Sequence, residues 1–193
     1  MNYTKNKKML AIDNFVEESD LTLGIDIIDD PKFKHMLHKE GHGHVRRHNP
    51  VDPKSVKLAK KYADKAYQAY LNFCPEDIDK NKKVWIHTMH LLKYTTGGSM
   101  LVHTDWINDE CSDCILSAVV YFNENFTGGE IVFPFLNDEA VIVPPKTGSA
   151  LIYPATETEY SHGVNIVTSG TRYVIGYCFT TNESKAPALY KLY

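Results

Sequence analysis

Apolar residues change their period part-way along this chain, and that change limits the available folds more than any other feature. Within residues 52–73, Val56, Ala59, Tyr62, Ala63, Ala66, Tyr70 and Leu71 recur at the spacing of one helix face. Asp52-Pro53 supplies an N-cap with proline at the first helical position, and Cys74-Pro75 ends the helix. From Val84 onward the period is two, with Val84, Ile86, Thr88, His90, Leu92 and Tyr94 sharing one face of a strand. Turn residues at 97–98, 123–129, 144–148 and 169–170 then cut the chain into short runs at 115–122, 130–133, 150–153 and 173–179. About eight short strands within roughly 100 residues predict a double sheet of jelly-roll type.

The expected fold is therefore mainly β with flanking helices (α+β), built on a double-stranded β-helix, or jelly-roll, core. A chain of 193 residues suits one domain. We divide it into an N-terminal strand, loop and supporting helix at 1–83, a core at 84–180 and a tail at 181–193. Residues 10–16 read as a short strand. The stretch 40–50 holds glycines, histidines and arginines without a period, which predicts a loop.

Composition narrows the partners. Lys and Arg number 21 against 24 for Asp and Glu, so the net charge of -3 offers no general attraction to nucleic acid. No apolar run is long enough for a signal peptide or a membrane span, so the expectation is a soluble, cytoplasmic protein with no membrane partner. Cys74, Cys111, Cys114 and Cys178 are too few and too irregular for a disulfide framework, and reduced thiols are expected. Cys111 and Cys114 have the spacing of half a zinc site, but no second pair completes it. The run Gly41 to His48 reads as a solvated loop, or as a contact for an anionic or peptide substrate.

The chemistry concentrates in the β region. His103-Thr104-Asp105 closes a strand, and alternation points His103 and Asp105 the same way. An imidazole and a carboxylate so placed need one more ligand to form the facial triad of a non-haem iron(II) site. His162, at the start of a late strand, is the candidate. Such a triad leaves coordination sites for a keto acid and then dioxygen. Arg172 shares a strand face with Val174 and Gly176, and its guanidinium suits bidentate pairing with a distal carboxylate. Each signal has a plain alternative: a structural histidine on a strand, a surface arginine closing the turn at 169–171, and core tyrosines at Tyr94 and Tyr121.

In order, the motifs resemble the catalytic core of the prolyl 4-hydroxylase-like iron(II)/2-oxoglutarate-dependent oxygenases. Tyr94-Thr95-Thr96-Gly97-Gly98 with His103-Thr104-Asp105 is similar to the family's tyrosine, glycine-rich turn and HxD. Tyr121-Phe122-Asn123, Gly128-Gly129-Glu130 and Phe133-Pro134 resemble its YLN, GGE and F. The family's P-x-x-G-x-AL-x-F run resembles residues 145–153, with Tyr153 standing at the final phenylalanine. His162, Val167, Gly170 and Arg172 resemble the terminal H, V and G-x-R/K, and Ile12-Asp13-Asn14-Phe15 resembles the opening strand.

The resemblance implies an iron(II) site at His103, Asp105 and His162, which are also the catalytic residues. It implies 2-oxoglutarate bound through Arg172, with Tyr94 and Tyr121 as hydroxyl donors, and it brings dioxygen as oxidant and ascorbate as accessory reductant. Ser117 shares a strand face with Tyr121, which fits that pocket. Collagen-type members carry lysine where Arg172 stands, so the match does not select collagen. Halogenating relatives lack the carboxylate that Asp105 supplies, which favours hydroxylation. The expected activity is hydroxylation of an unactivated C–H bond, with peptidyl proline first and a free amino acid or other small molecule second. Two other classes compete: a non-catalytic jelly-roll binding module and a zinc hydrolase using two histidines and an aspartate.

Overall fold

The computed structural model describes residues 3–6, 8–31, 36–37, 44–76, 82–105, 113–136 and 139–187. The N-terminal part holds β1 (Tyr3–Asn6), β2 (Met9–Ile12), α1 (Glu18–Asp29), β3 (Met36–Leu37), β4 (Val45–His48) and α2 (Pro53–Phe73). Then come β5 (Trp85–Thr95), β6 (Met100–His103), β7 (Cys114–Tyr121), β8 (Thr127–Gly128) and β9 (Ile131–Phe133). The series closes with β10 (Val141–Val143), β11 (Ala150–Pro154), β12 (His162–Val164), β13 (Val167–Ser169) and β14 (Thr171–Thr180).

The strands form an eight-stranded sheet in the order β1-β2-β11-β7-β14-β5-β4-β3, facing a four-stranded sheet in the order β10-β9-β12-β6. Their pairings are antiparallel, and β8 and β13 form a separate short ribbon. This is the expected double-stranded β-helix. Antiparallel strands with one face inward leave two cores. One lies between the helices and the large sheet, around Leu10, Tyr62, Ala66, Met89 and Ile175. The other lies between the sheets, around Tyr94, Tyr121, Phe133, Tyr153 and Val174.

The supporting helix forms as its signals predict. The Asp52 carboxylate accepts from the amides of Lys54 and Ser55 at 3.0 and 3.2 Å, satisfying donors that the first turn leaves unpaired. Its apolar face packs on the large sheet, and Tyr177 donates to the Ala59 carbonyl at 3.0 Å.

Three expectations need correction. Part of the stretch expected to be a loop, 40–50, is strand β4, whose Val45 pairs opposite Tyr94 on β5 and is fully buried. Two arginines hide the period there, because the strand buries one residue at each end. The first predicted strand ends at Ile12, since Asn14 takes a left-handed φ of 51° that turns the chain away from the sheet. The single face expected from Val84 to Tyr94 is split, because a bulge inserts His87 between residues opposite Cys178 and Phe179. Val84 and Ile86 consequently enter the helix-side core while Leu92 and Tyr94 face the other sheet.

Helix α1 was not anticipated. Its Gly24 lies so close to Phe122 that an added Cβ would sit 2.1 Å from the ring, so a small residue, without helical propensity, is what lets the helix seat.

Candidate metal centre

Strand β6 ends at His103, and antiparallel pairing sets β12 beside it with His162 directly opposite His103. Asp105 follows two residues on, as the chain leaves the sheet. Register thus brings the distant His162 to the neighbouring pair His103 and Asp105, and the ligand atoms of the three fall within 4.8 Å of one another. His103 Nε2 is 3.5 Å from Asp105 Oδ1, and His162 Nε2 is 4.0 Å from Asp105 Oδ2. Among the described residues no other group of three such side chains could hold a metal.

The hydrogen bonds around the cluster select the ligating form of each group. His103 Nδ1 donates to the Leu101 carbonyl at 2.9 Å, and His162 Nδ1 donates to the Tyr160 carbonyl at 3.1 Å. In both rings Nδ1 is thus engaged by the backbone, and Nε2 is the nitrogen turned toward Asp105 and left to ligate. Ser117, on β7, donates its hydroxyl to Asp105 Oδ2 at 2.5 Å. Tyr153, on β11, donates to His162 Nε2 at 3.0 Å.

Electrostatics point the same way. Burial opposes ionisation of Asp105, but His162, His103 and the Ser117 hydrogen bond together hold its carboxyl below the ordinary value. Burial lowers the pKa of His162, more than the nearby Asp105 raises it. A carboxylate beside two imidazoles is a donor set that fits iron(II).

A second feature lies between the same sheets. Arg172, on β14, pairs opposite Tyr94 and is only 1% exposed. Its guanidinium lies 4.6 Å from the Tyr94 ring centroid and 5.1 Å from that of Tyr121. Burial raises the pKa of both tyrosines, and the Arg172 charge offsets part of that rise. The Tyr121 hydroxyl nevertheless is not aligned for a hydrogen bond, and Arg172 Nε and Nη1 have no partner. Among the described residues no carboxylate pairs with this arginine. A buried, incompletely bonded guanidinium is costly unless an anion completes it. Gly129, with φ of 70°, lets the chain pass Arg172, since a Cβ there would lie 3.1 Å from Arg172 Cδ.

All six residues singled out from the sequence, His103, Asp105, His162, Arg172, Tyr94 and Tyr121, therefore face the space between the two sheets. The roles of Ser117 and Tyr153 beside the ligand atoms were not foreseen. Tyr153 left one signal, a hydroxyl at a position where the resembling pattern has phenylalanine. Cys111 lies outside the described residues, so its half zinc site is not seen; Cys114 is buried against Ala155 and Cys178. Of the run 41–48, Gly41, His42 and Gly43 likewise lie outside the described residues. No described helix is long and apolar enough to cross a membrane.

Residues 89–180 match the family model of the 2OG-Fe(II) oxygenase superfamily. No curated protein matches the sequence. Among solved structures, a 2OG-Fe(II) oxygenase family oxidoreductase from Burkholderia pseudomallei is similar with a TM-score of 0.73 at 14% identity, over 91% of this chain and 86% of that one. A prolyl hydroxylase from Trichoplax adhaerens, in complex with a hypoxia inducible factor peptide, reaches 0.72 at 14% identity over 93% and 86%. A viral collagen prolyl hydroxylase from Paramecium Bursaria Chlorella virus-1, in a 2OG complex, reaches 0.67 at 19% identity over 92% and 98%. At such identities the structural likeness carries the fold. In sequence, the segment 89–180 is what is similar to the 2OG-Fe(II) oxygenase superfamily.

Proposed function

We propose that this protein is an iron(II)- and 2-oxoglutarate-dependent oxygenase that hydroxylates an unactivated C–H bond of a peptidyl prolyl residue. In this reading His103, Asp105 and His162 hold the iron, and Arg172 pairs with the distal carboxylate of 2-oxoglutarate between Tyr94 and Tyr121. The whole chain acts as one domain, with the helices of 1–83 supporting the core at 84–180.

The observation that carries the reading is Arg172, a buried cation with two nitrogens lacking partners, enclosed between the same two sheets as the triad. A non-catalytic module or a zinc hydrolase has no use for such a group, whereas a dicarboxylate co-substrate completes it. When bound, iron(II) with 2-oxoglutarate supplies the oxidising chemistry, which releases succinate and carbon dioxide. The protein's own part is geometric and electrostatic. The two backbone carbonyls fix the imidazoles, Ser117 fixes the carboxylate, and Arg172 sets the co-substrate's direction.

The prolyl substrate is supported by neighbours that are prolyl hydroxylases, one of them holding a peptide. It is supported also by a groove of about 600 Å³ along β6, lined by His44, Met100, Leu101, Val102 and Ile166. The groove lies along the strand that ends at His103, and its exposed apolar side chains, Leu101, Val102 and Ile166, suit a chain segment better than a free amino acid.

The test is to measure succinate or carbon dioxide release from 2-oxoglutarate with iron(II), then to add proline-rich peptides or free amino acids and look for the mass gain of one oxygen. Release coupled to peptide oxidation supports the full reading. Coupling to free proline alone would replace the substrate, and no turnover of 2-oxoglutarate under any condition would sink the reading.

A further inference from the structure

Tyr153 stands where the resembling sequence pattern ends in phenylalanine, so its hydroxyl is an addition that the shared core does not require. The ring is buried, at 2% exposure, and is held edge-on to Phe133 with centroids 5.1 Å apart and planes 79° apart. Its hydroxyl therefore has a small range of motion, and within that range it lies 3.0 Å from His162 Nε2.

That acceptor is the decisive fact. His162 Nδ1 spends its proton on the Tyr160 carbonyl, so Nε2 bears the ring's lone pair and Tyr153 must be the donor. If His162 is a metal ligand, the same lone pair goes to the metal, because one lone pair cannot serve both partners. Metal loading then leaves a buried hydroxyl without its acceptor, a state proteins avoid. Asp105 Oδ2 already takes the Ser117 hydroxyl. The acceptors that arrive from outside are the oxygens of the co-substrate at the open coordination positions.

We propose that Tyr153 is a co-substrate-binding residue: with His162 Nε2 committed to the metal, the Tyr153 hydroxyl donates its hydrogen bond to an oxygen of 2-oxoglutarate at the metal. This rests on the reading of the site given under the proposed function. It makes Tyr153 a third tyrosine of the pocket, placed at the metal end, while Tyr94 and Tyr121 flank Arg172 at the other. It also predicts opposite effects on the two binding steps. Deleting the hydroxyl removes a bond that competes with the metal in the unloaded protein, and removes a bond that favours 2-oxoglutarate in the loaded one.

The experiment titrates manganese(II), as a redox-inert stand-in, and then 2-oxoglutarate into the wild-type protein and Tyr153→Phe, following heat of binding. Manganese(II) should bind the variant no more weakly than the wild type. The affinity of the loaded variant for 2-oxoglutarate should fall by roughly 5- to 30-fold, the usual effect of losing one buried hydrogen bond. Unchanged 2-oxoglutarate affinity overturns the inference. So does weakened manganese(II) binding with unchanged 2-oxoglutarate affinity, which would mean that Tyr153 turns to Asp105 instead. If Tyr153→Phe misfolds, 3-fluorotyrosine at position 153 replaces it. Its fluorine resonance should shift on adding zinc(II) and again on adding 2-oxoglutarate, and absence of the second shift overturns the inference. Should the wild type bind neither metal nor 2-oxoglutarate, the underlying reading of the site fails; should it bind both and Tyr153→Phe match it, only this inference fails.

Discussion

The Ser117 hydroxyl reaches from β7 across to Asp105 and donates to Oδ2 at 2.5 Å, so a residue on one sheet orients a carboxylate that follows a strand of the other. The contact favours the ionised carboxylate and holds its position against thermal rotation. Ser117→Ala should accordingly weaken iron(II) or manganese(II) binding by about 10- to 100-fold, the range typical of groups that orient a metal ligand. Ser117→Thr, which keeps the hydroxyl, should recover most of the loss. Equal metal affinity in the alanine variant would remove Ser117 from the site.

His103→Ala and Asp105→Ala should each abolish metal binding and turnover. Their unfolding midpoints should stay within a few degrees of the wild type, because the two apolar cores contain neither side chain. Thermal unfolding by circular dichroism, beside a metal titration, separates the two effects. Full turnover in either variant would sink the ligand assignment.

Arg172→Ala should act on the co-substrate rather than on the metal. Loss of a charge-assisted contact of about 1.5 to 3 kcal/mol corresponds to roughly a 10- to 150-fold rise in the apparent KM for 2-oxoglutarate. Arg172→Lys keeps the charge but loses the paired geometry, and should be milder. Iron affinity should barely move in either. A collapse of iron binding with normal 2-oxoglutarate dependence would contradict this placement.

Stability at acid pH should depend on Asp20, in the first turn of α1. It accepts from Lys61 at 2.8 Å and from the Tyr62 hydroxyl at 2.7 Å, tying α1 to α2. Burial raises its pKa, but these two donors outweigh burial and hold it below the usual carboxylate value. A carboxylate whose folded pKa is depressed stabilises the fold above its unfolded pKa of about 3.9, and that contribution is lost as pH falls through the lower folded value. Asp20→Asn should lower stability at neutral pH by about 0.5 to 1.5 kcal/mol, since Lys61 is partly solvated. It should also flatten the acid limb of the stability curve below about pH 4. Denaturant unfolding across pH checks both, and identical curves for the two proteins would dismiss the bridge.

Much of the molecule was legible because its signals are local. Asp52-Pro53 and the period of three to four residues specify α2 from groups within one turn of each other. Alternation and turn residues mark the strands, and the spacing of His103 and Asp105 follows from the strand that precedes them. What lies beyond local range was decided by tertiary structure. The arginines of β4 conceal a strand that exists because β5 offers it an edge. The bulge at His87, visible only in the pairing with β14, reverses which core receives Ile86. Helix α1 depends on the fit of Gly24 against Phe122, a contact between distant segments. The sequence nominated His162 among nine histidines, but only the register of β12 on β6 sets it opposite His103. Likewise the sequence puts Ser117 on the pocket face of its strand and Tyr153 at the end of another, but their contacts with Asp105 and His162 arise only when the sheets close. Side-chain periodicity records which face of an element turns inward, whereas the partner met there depends on register and on the closure of two sheets, which no short stretch of chain encodes.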